Sequence, residues 1–199
     1  MRILIGSVAL AVTVATAAVQ LQAPEVVTYY IADGDTRTSY RPSDRQLAVW
    51  ALEAWARNSG GALRVEPGDE ARADIRMHWA AADGGQYGEM RRIIVDGRLV
   101  AEVYVRPDTT ALGPDIAQLA DRDPLMRDTI VYLTCLHELG HALGLEHTEN
   151  FRDIMYFFGY GGDIPGFFTR YRSELRSRSD IASVAGLSPN DISRLRELH

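Results

Sequence analysis

The chain has 199 residues, 46% of them hydrophobic and 24% charged, a balance that fits one globular domain and not a disordered or fibrous chain. A net charge of −6 speaks against a general nucleic-acid binder, which would carry a basic field. All 21 basic residues are arginine, a usage that hints at a GC-rich bacterial source.

Met1 to Ala23 stands apart from the rest of the chain. Arg2 precedes an uncharged apolar stretch from Ile3 to Val19, and Ala15-Thr16-Ala17 offers the small residues a signal peptidase reads, with cleavage expected after Ala17 or Ala18. The alternative is an uncleaved N-terminal anchor, because the stretch is nearly long enough to span a bilayer. Residues 24–199 are then expected to be secreted, periplasmic or extracellular, with the membrane involved only if the segment stays uncleaved. About 175 residues remain for a single domain, enough for a sizeable core. The lone Cys135 cannot form an intramolecular disulfide, so the fold does not rely on oxidation.

The first strand is predicted over Val26 to Ile31, ended by Asp33-Gly34. A helix comes next, with Ser43 as N-cap and Gln46 completing a capping box; Leu47, Trp50, Ala51, Ala54 and Trp55 share one face, and Asn58-Ser59-Gly60-Gly61 stops it. Short strands are predicted at Leu63 to Glu66 and Ala73 to Trp79. Arg91 to Val105 then reads as a hairpin, because Asp96-Gly97 favours a tight type I′ turn. Thr109 to Pro124 reads as a loop, with or without a helical turn, and Asp128 to Leu143 as a buried helix. The last helix has a well-specified start: Ser188 caps, Pro189 takes the first position, Asp191 reaches back, and Leu187 and Ile192 have staple spacing. The order predicts an α+β domain with a twisted mixed sheet and three main helices.

His137-Glu138-Leu139-Gly140-His141-Ala142-Leu143-Gly144-Leu145-Glu146-His147 gathers three of the five histidines. On a helix, His137 and His141 lie one turn apart and can reach one ion, while Glu138 sits about 100° round, able to address a water on that ion. His147 would point elsewhere if the helix continued, at about 240° from His141 and about 9 Å further along. Gly144 can adopt the left-handed conformation that ends a helix and turn the chain back, bringing His147 round as third ligand. Three imidazoles with an open fourth position are the pattern of a catalytic zinc site.

The extended His-Glu-x-x-His-x-x-Gly-x-x-His pattern resembles the metzincin metallopeptidases, and most of all the matrixin branch that contains the matrix metalloproteinases. Gly140 and Ala142-Leu143-Gly144-Leu145 are similar to matrixin usage, Asp153-Ile154-Met155-Tyr156 resembles the Met-turn, and Leu187 to Ile192 looks like the start of the matrixin C-terminal helix. The resemblance implies a metzincin-like catalytic domain with the zinc site on the second main helix, His137, His141 and His147 as metal ligands, Glu138 as general base and acid, and Met155 beneath the metal. It implies a secreted zinc-dependent endopeptidase with one Zn2+, acting on a protein or peptide substrate paired with an edge strand, expected at Leu99 to Val105. The competing class is a non-catalytic zinc-stabilised binding module, against which Glu138 speaks. A monomer is expected.

Several features depart from that family. Only His78 lies ahead of the active-site helix, so a second, structural zinc is not expected; Ca2+ stays open given the plentiful acids, but no EF-hand pattern supports it. No propeptide is visible, and Cys135, about 200° round the helix from His137, reads as a packing thiol and not a latency switch. The stretch from Met155 to Leu187 is longer than the family's usual connection. Within it Phe157, Phe158 and Tyr160 are candidates for the substrate pocket. Arg170, Arg172, Arg176 and Arg178 come after them on an expected short helix, as a solvated face or as a gate or contact for acidic substrate.

Overall fold

At the tip of the hairpin, Asp96 and Gly97 hold positive φ angles of 50° and 76°, and Val95 pairs with Arg98 across them, as a two-residue type I′ turn requires. The computed structural model describes residues 25–81 and 87–199. The expected leader, Met1 to Ala23, lies outside the described residues. The arms of the hairpin are β4 (Gly88–Val95) and β5 (Arg98–Val105), and they join β1 (Glu25–Ile31), β2 (Leu63–Pro67) and β3 (Ile75–Trp79) in a five-stranded sheet of order β2-β1-β3-β5-β4. All neighbours run parallel except β4, which is antiparallel to β5.

This order corrects the expected substrate edge. Leu99 to Val105 is not an edge: β5 is paired on both sides, with β3 from Ala101↔Ile75 to Val105↔Trp79 and with β4 along its whole length. Of the two hairpin arms it is β4 that lies at an edge of the sheet among the described residues. The two arms of a hairpin look equivalent in sequence, but Arg91 and Arg92 on β4 are the kind of charged residues that guard an exposed edge, whereas Val100, Ala101, Val103 and Val105 of β5 are buried.

Among the described residues, five α-helices pack on one another and on the sheet: α1 (Asp44–Asn58), α2 (Pro114–Arg122), α3 (Pro124–Ala142), α4 (Ile164–Arg172) and α5 (Pro189–Leu198). The crossover helix α1 lets β1 and β2 run parallel, and its buried Leu47, Ala51, Leu52 and Trp55 meet α3, where the Trp55 indole N–H donates to Leu136 O at 2.9 Å. Among the described residues, no helix is long and apolar enough to cross a membrane.

Two helix starts differ from expectation. Ser43 is itself helical (φ −68°, ψ −20°) and its side chain makes no cap bond. Asp44 takes over, accepting the Arg41 N–H at 2.8 Å while its two oxygens bind Arg127 of α3 at 2.5 and 2.7 Å. A bidentate buried pair outranks a serine cap. The expected loop from Thr109 to Pro124 contains all of α2, whose only buried residues, Ile116 and Ala120, are too few to show a helical period. The helix expected from Asp128 begins four residues sooner, where Asp123 accepts the Leu125 N–H at 3.0 Å and Pro124 takes the first position.

Candidate active site

The end of α3 turns as the glycine spacing predicts. Gly144 has φ +101°, its N–H donates to His141 O at 3.0 Å, and the Leu145 N–H reaches back to Gly140 O at 2.9 Å. These two bonds form a Schellman closure, and they fold the chain so that His147 comes back over His141. The His141 and His147 Nε2 atoms lie 3.1 Å apart, and one ligand atom from each of His137, His141 and His147 falls within 4.8 Å of the others.

Each helix histidine has its other nitrogen engaged. His137 Nδ1–H donates to Ile154 O at 2.6 Å and His141 Nδ1–H to Leu145 O at 2.7 Å, which leaves both Nε2 lone pairs for a metal. Two nitrogens at about 2.05 Å from a tetrahedral ion would lie about 3.3 Å apart, close to the spacing seen. Burial pushes the His137 imidazole down to about 3, and burial also lowers His141 and His147, so all three favour the neutral form a metal requires. The triad is positioned to bind a metal ion, and its donor set fits zinc. Among the described residues it is the one group of histidine, cysteine or acid side chains arranged to do so. His78, the remaining candidate ahead of α3, lies in β3 stacked on Tyr104 with centroids 5.2 Å apart. Cys135 is fully buried, and burial raises its thiol well above the ordinary range.

The turn Asp153-Ile154-Met155-Tyr156, expected as the Met-turn, packs against α3 beside His137 and Gly140. Met155 is fully buried, and a Cβ added to Gly140 would overlap its Sδ and approach Trp55 Cζ2 to 2.9 Å. That close passage explains the glycine just ahead of His141. The turn is fastened on two sides. The Thr148 N–H donates to Met155 O at 2.8 Å, and Asp191 of α5 accepts the Ile154 N–H at 2.9 Å. Asp153 is buried alongside and accepts from Ser188 Oγ at 2.7 Å and Asn190 Nδ2 at 2.6 Å. Sequence reasoning identified Ser188 and Asp191 only as a helix cap; their grip on the Met-turn, 35 to 37 residues away, leaves no local signal.

Glu138 faces the same cleft, 7% exposed, with its carboxyl pushed up to about 8 by burial and by the charge of Glu89. A divalent cation beside it would draw that value back down. Gly88, at the start of β4, is its close neighbour: a Cβ there would overlap Glu138 Oε1. Gly88 therefore admits the carboxylate to the cleft, a role that the sequence did not disclose.

The cleft has a volume of about 610 Å3 and runs from the histidines into an apolar recess walled by Leu112, Leu133, Ile164, Phe167 and Phe168. Phe157 and Phe158 both line it; Phe157 lies against His147 with ring centroids 4.7 Å apart, and Phe158 packs edge-on against Phe167 at 5.0 Å. Tyr160 does not line it: the residue is 60% exposed, and its ring meets Phe157 edge-on at 5.2 Å. The glycines flanking Tyr160 carry it out of the recess. Ile164, Phe167 and Phe168, missed in the sequence, supply the far wall from α4.

Arg170 and Arg176 are exposed, as a solvated face would be, but three of the four arginines are also engaged by the rest of the protein. Arg172 binds Asp123 at 2.7 Å, Arg178 binds Asp128 at 2.8 Å and lies over Trp50, and Arg170 lies over Phe151 and Phe167. Only Arg170 and Arg172 are on α4; Arg176 and Arg178 come after its end. Three of the four strap the added segment to the body.

A search of the curated proteins returned no match. The solved structure of archaemetzincin from Methanopyrus kandleri is similar over 91% of this chain and 98% of that one, at 15% identity and a TM-score of 0.46. The matrixin family model matches residues 21–162, from just before β1 to just before α4, and so takes in the histidine triad, Glu138 and the Met-turn. The chain belongs to the matrixin family of zinc metallopeptidases.

Proposed function

We propose that the protein is an exported endopeptidase in which Glu138 is the general base and acid. The observation that carries this reading is the buried Glu138 carboxylate, admitted by Gly88 to the cleft on which His137, His141 and His147 converge. His137, His141 and His147 would hold a zinc ion through their Nε2 atoms, and the ion would supply Lewis acidity towards a peptide carbonyl and a water. Glu138 accepts the proton of the attacking water and returns it to the leaving amine. The free edge of β4 offers unpaired backbone groups, so an extended peptide can add as a further strand and be gripped through its main chain. Phe157, Phe158 and the α4 wall then receive an apolar side chain of the substrate. Export rests on the leader-like composition of Met1 to Ala23.

The test is cleavage of a peptide library by the purified protein, with and without chelator, beside the Glu138→Gln variant. One zinc per chain and chelator-sensitive cleavage are expected. The variant should keep its zinc and lose about 10²- to 10⁴-fold in rate. A variant that cuts at a near-normal rate would show that another group is the base.

A further inference from the structure

Behind His137 runs a hydrogen-bonded series in which the proton shuttle of Glu138 has no part. The Ile154 carbonyl that accepts the His137 Nδ1–H at 2.6 Å belongs to the Ile154–Met155 peptide unit, and the N–H of that unit faces Asp191 Oδ1 at 3.4 Å. The Ile154 N–H, one peptide earlier, donates to Asp191 Oδ2 at 2.9 Å, and the Ser188 N–H donates to the same oxygen at 2.8 Å. Asp191 is fully buried, and the charge that opposes its own is another buried acid, Asp153. Burial and Asp153 together raise the Asp191 carboxyl, so an anion is costly here. Capping α5 does not by itself require one to be placed against the Met-turn.

We propose that Asp191 is a positioning residue for the metal site, its carboxylate polarising the Ile154–Met155 peptide and fixing His137 with Nε2 as the ligand atom. An anion at an amide N–H favours the charge-separated form of that amide, which makes its oxygen a stronger acceptor. A stronger acceptor at Nδ1–H makes Nε2 a better donor to a metal and holds the ring at the required angle. His141 donates instead to Leu145 O, a carbonyl of the helix-end turn. The proposal rests on His137 being a zinc ligand.

Asp191→Asn keeps the shape of the side chain and removes its charge. In the full chain it should weaken zinc binding about ten- to a hundredfold, read by competition with a chromogenic chelator, and should shift the visible spectrum of the cobalt-substituted protein. Leu195→Ala is the structural control. It truncates a fully buried side chain of the same helix, and it should lower Tm with zinc affinity unchanged. A wild-type protein that binds no zinc would undo the metallopeptidase reading itself. Wild-type zinc affinity and cobalt spectrum in Asp191→Asn would overturn only the role of Asp191, as would an equal loss of zinc in Leu195→Ala. If Asp191→Asn does not fold, proton NMR of the zinc-loaded wild type decides. The His137 Nδ1–H should resonate downfield of that of His141, and the reverse order would overturn the proposal.

Discussion

The histidine floor of the cleft, residues 137–156, and its aromatic far wall, residues 157–172, adjoin in chain and in space, yet different contacts hold them. In the floor the contacts are directional: imidazole to Ile154 O at 2.6 Å, imidazole to Leu145 O at 2.7 Å, Thr148 N–H to Met155 O at 2.8 Å and Ile154 N–H to Asp191 at 2.9 Å. In the wall, Phe158, Phe167 and Phe168 meet at centroid distances of 5.0 to 6.4 Å. A lone pair aimed at a metal has one useful direction, so the floor is built from bonds with one solution. An apolar recess needs only the right volume, which many combinations of side chains can supply.

Metal removal should break that comparison open most widely. With free zinc at about a thousand times its dissociation constant, binding to the native state adds about 4 kcal/mol. Chelation should remove this, read as a fall in Tm, and should speed amide exchange in residues 141–157 ahead of α4. Equal loss of protection in both would mean that floor and wall are one cooperative unit. Phe168→Ala probes the opposite side. Truncating a buried phenylalanine costs about 3 kcal/mol in urea unfolding, and it should broaden side-chain preference at the recess while zinc affinity holds. Zinc affinity that falls with stability would mean that the wall positions the ligands after all.

The same distinction decides how much could be read in advance. The convergence of His137, His141 and His147 on one cleft and the glycine turn were legible because a metal site imposes spacing: one helical turn between His137 and His141, then a break at Gly144. The type I′ turn at Asp96-Gly97 was legible for the same kind of reason, a backbone angle that few residues accept. Which hairpin arm would be the edge was not, since register and partner are settled by the rest of the sheet; the adjacent Arg91 and Arg92 were the available signal. Of α4 a short helix carrying the arginines was expected, but neither its start at Ile164-Pro165 nor the apolar face of Ile164, Phe167 and Phe168. Asp163 caps that helix through the Gly166 N–H at 2.9 Å, so the proline marks its start. The bond between Asp191 and Ile154 joins residues 37 apart, and pairings at that distance have no local pattern.

Gly140→Ala sharpens the claim that the floor has a single solution. Alanine favours a helix over glycine by about 1 kcal/mol, so on propensity alone the change should stabilise α3. The added methyl, however, would overlap Met155 Sδ and crowd Trp55. A net loss of about 2 kcal/mol is expected, with weaker zinc binding as Met155 is pushed against the histidines. A stabilised variant with wild-type zinc affinity would show that the floor has slack.

The smallest effect should come from Arg172, one of the straps on the added segment. Its Nε binds Asp123 Oδ2 at 2.7 Å and its Nη1 binds Leu175 O at 3.0 Å, so it ties the end of α4 to the cap of α3. Both side chains are partly open to solvent, 26% and 37% exposed, and water and salt screen such a pair. Arg172→Ala should therefore cost only about 0.5 to 1 kcal/mol at neutral pH. The pH dependence has a definite sign. Burial pushes the Asp123 carboxyl up, but the hydrogen bonds from Arg172 and the Leu125 N–H more than offset it and leave the group below its ordinary range. A lowered carboxyl contributes stability above the unfolded value of about 3.9 and loses it as pH falls through the folded one. The difference between wild type and variant should accordingly be full at pH 7 and close as acid protonates Asp123, with zinc affinity unaffected throughout. A gap that persists in acid would show that Arg172 acts through the packing of its stem and not through its charge.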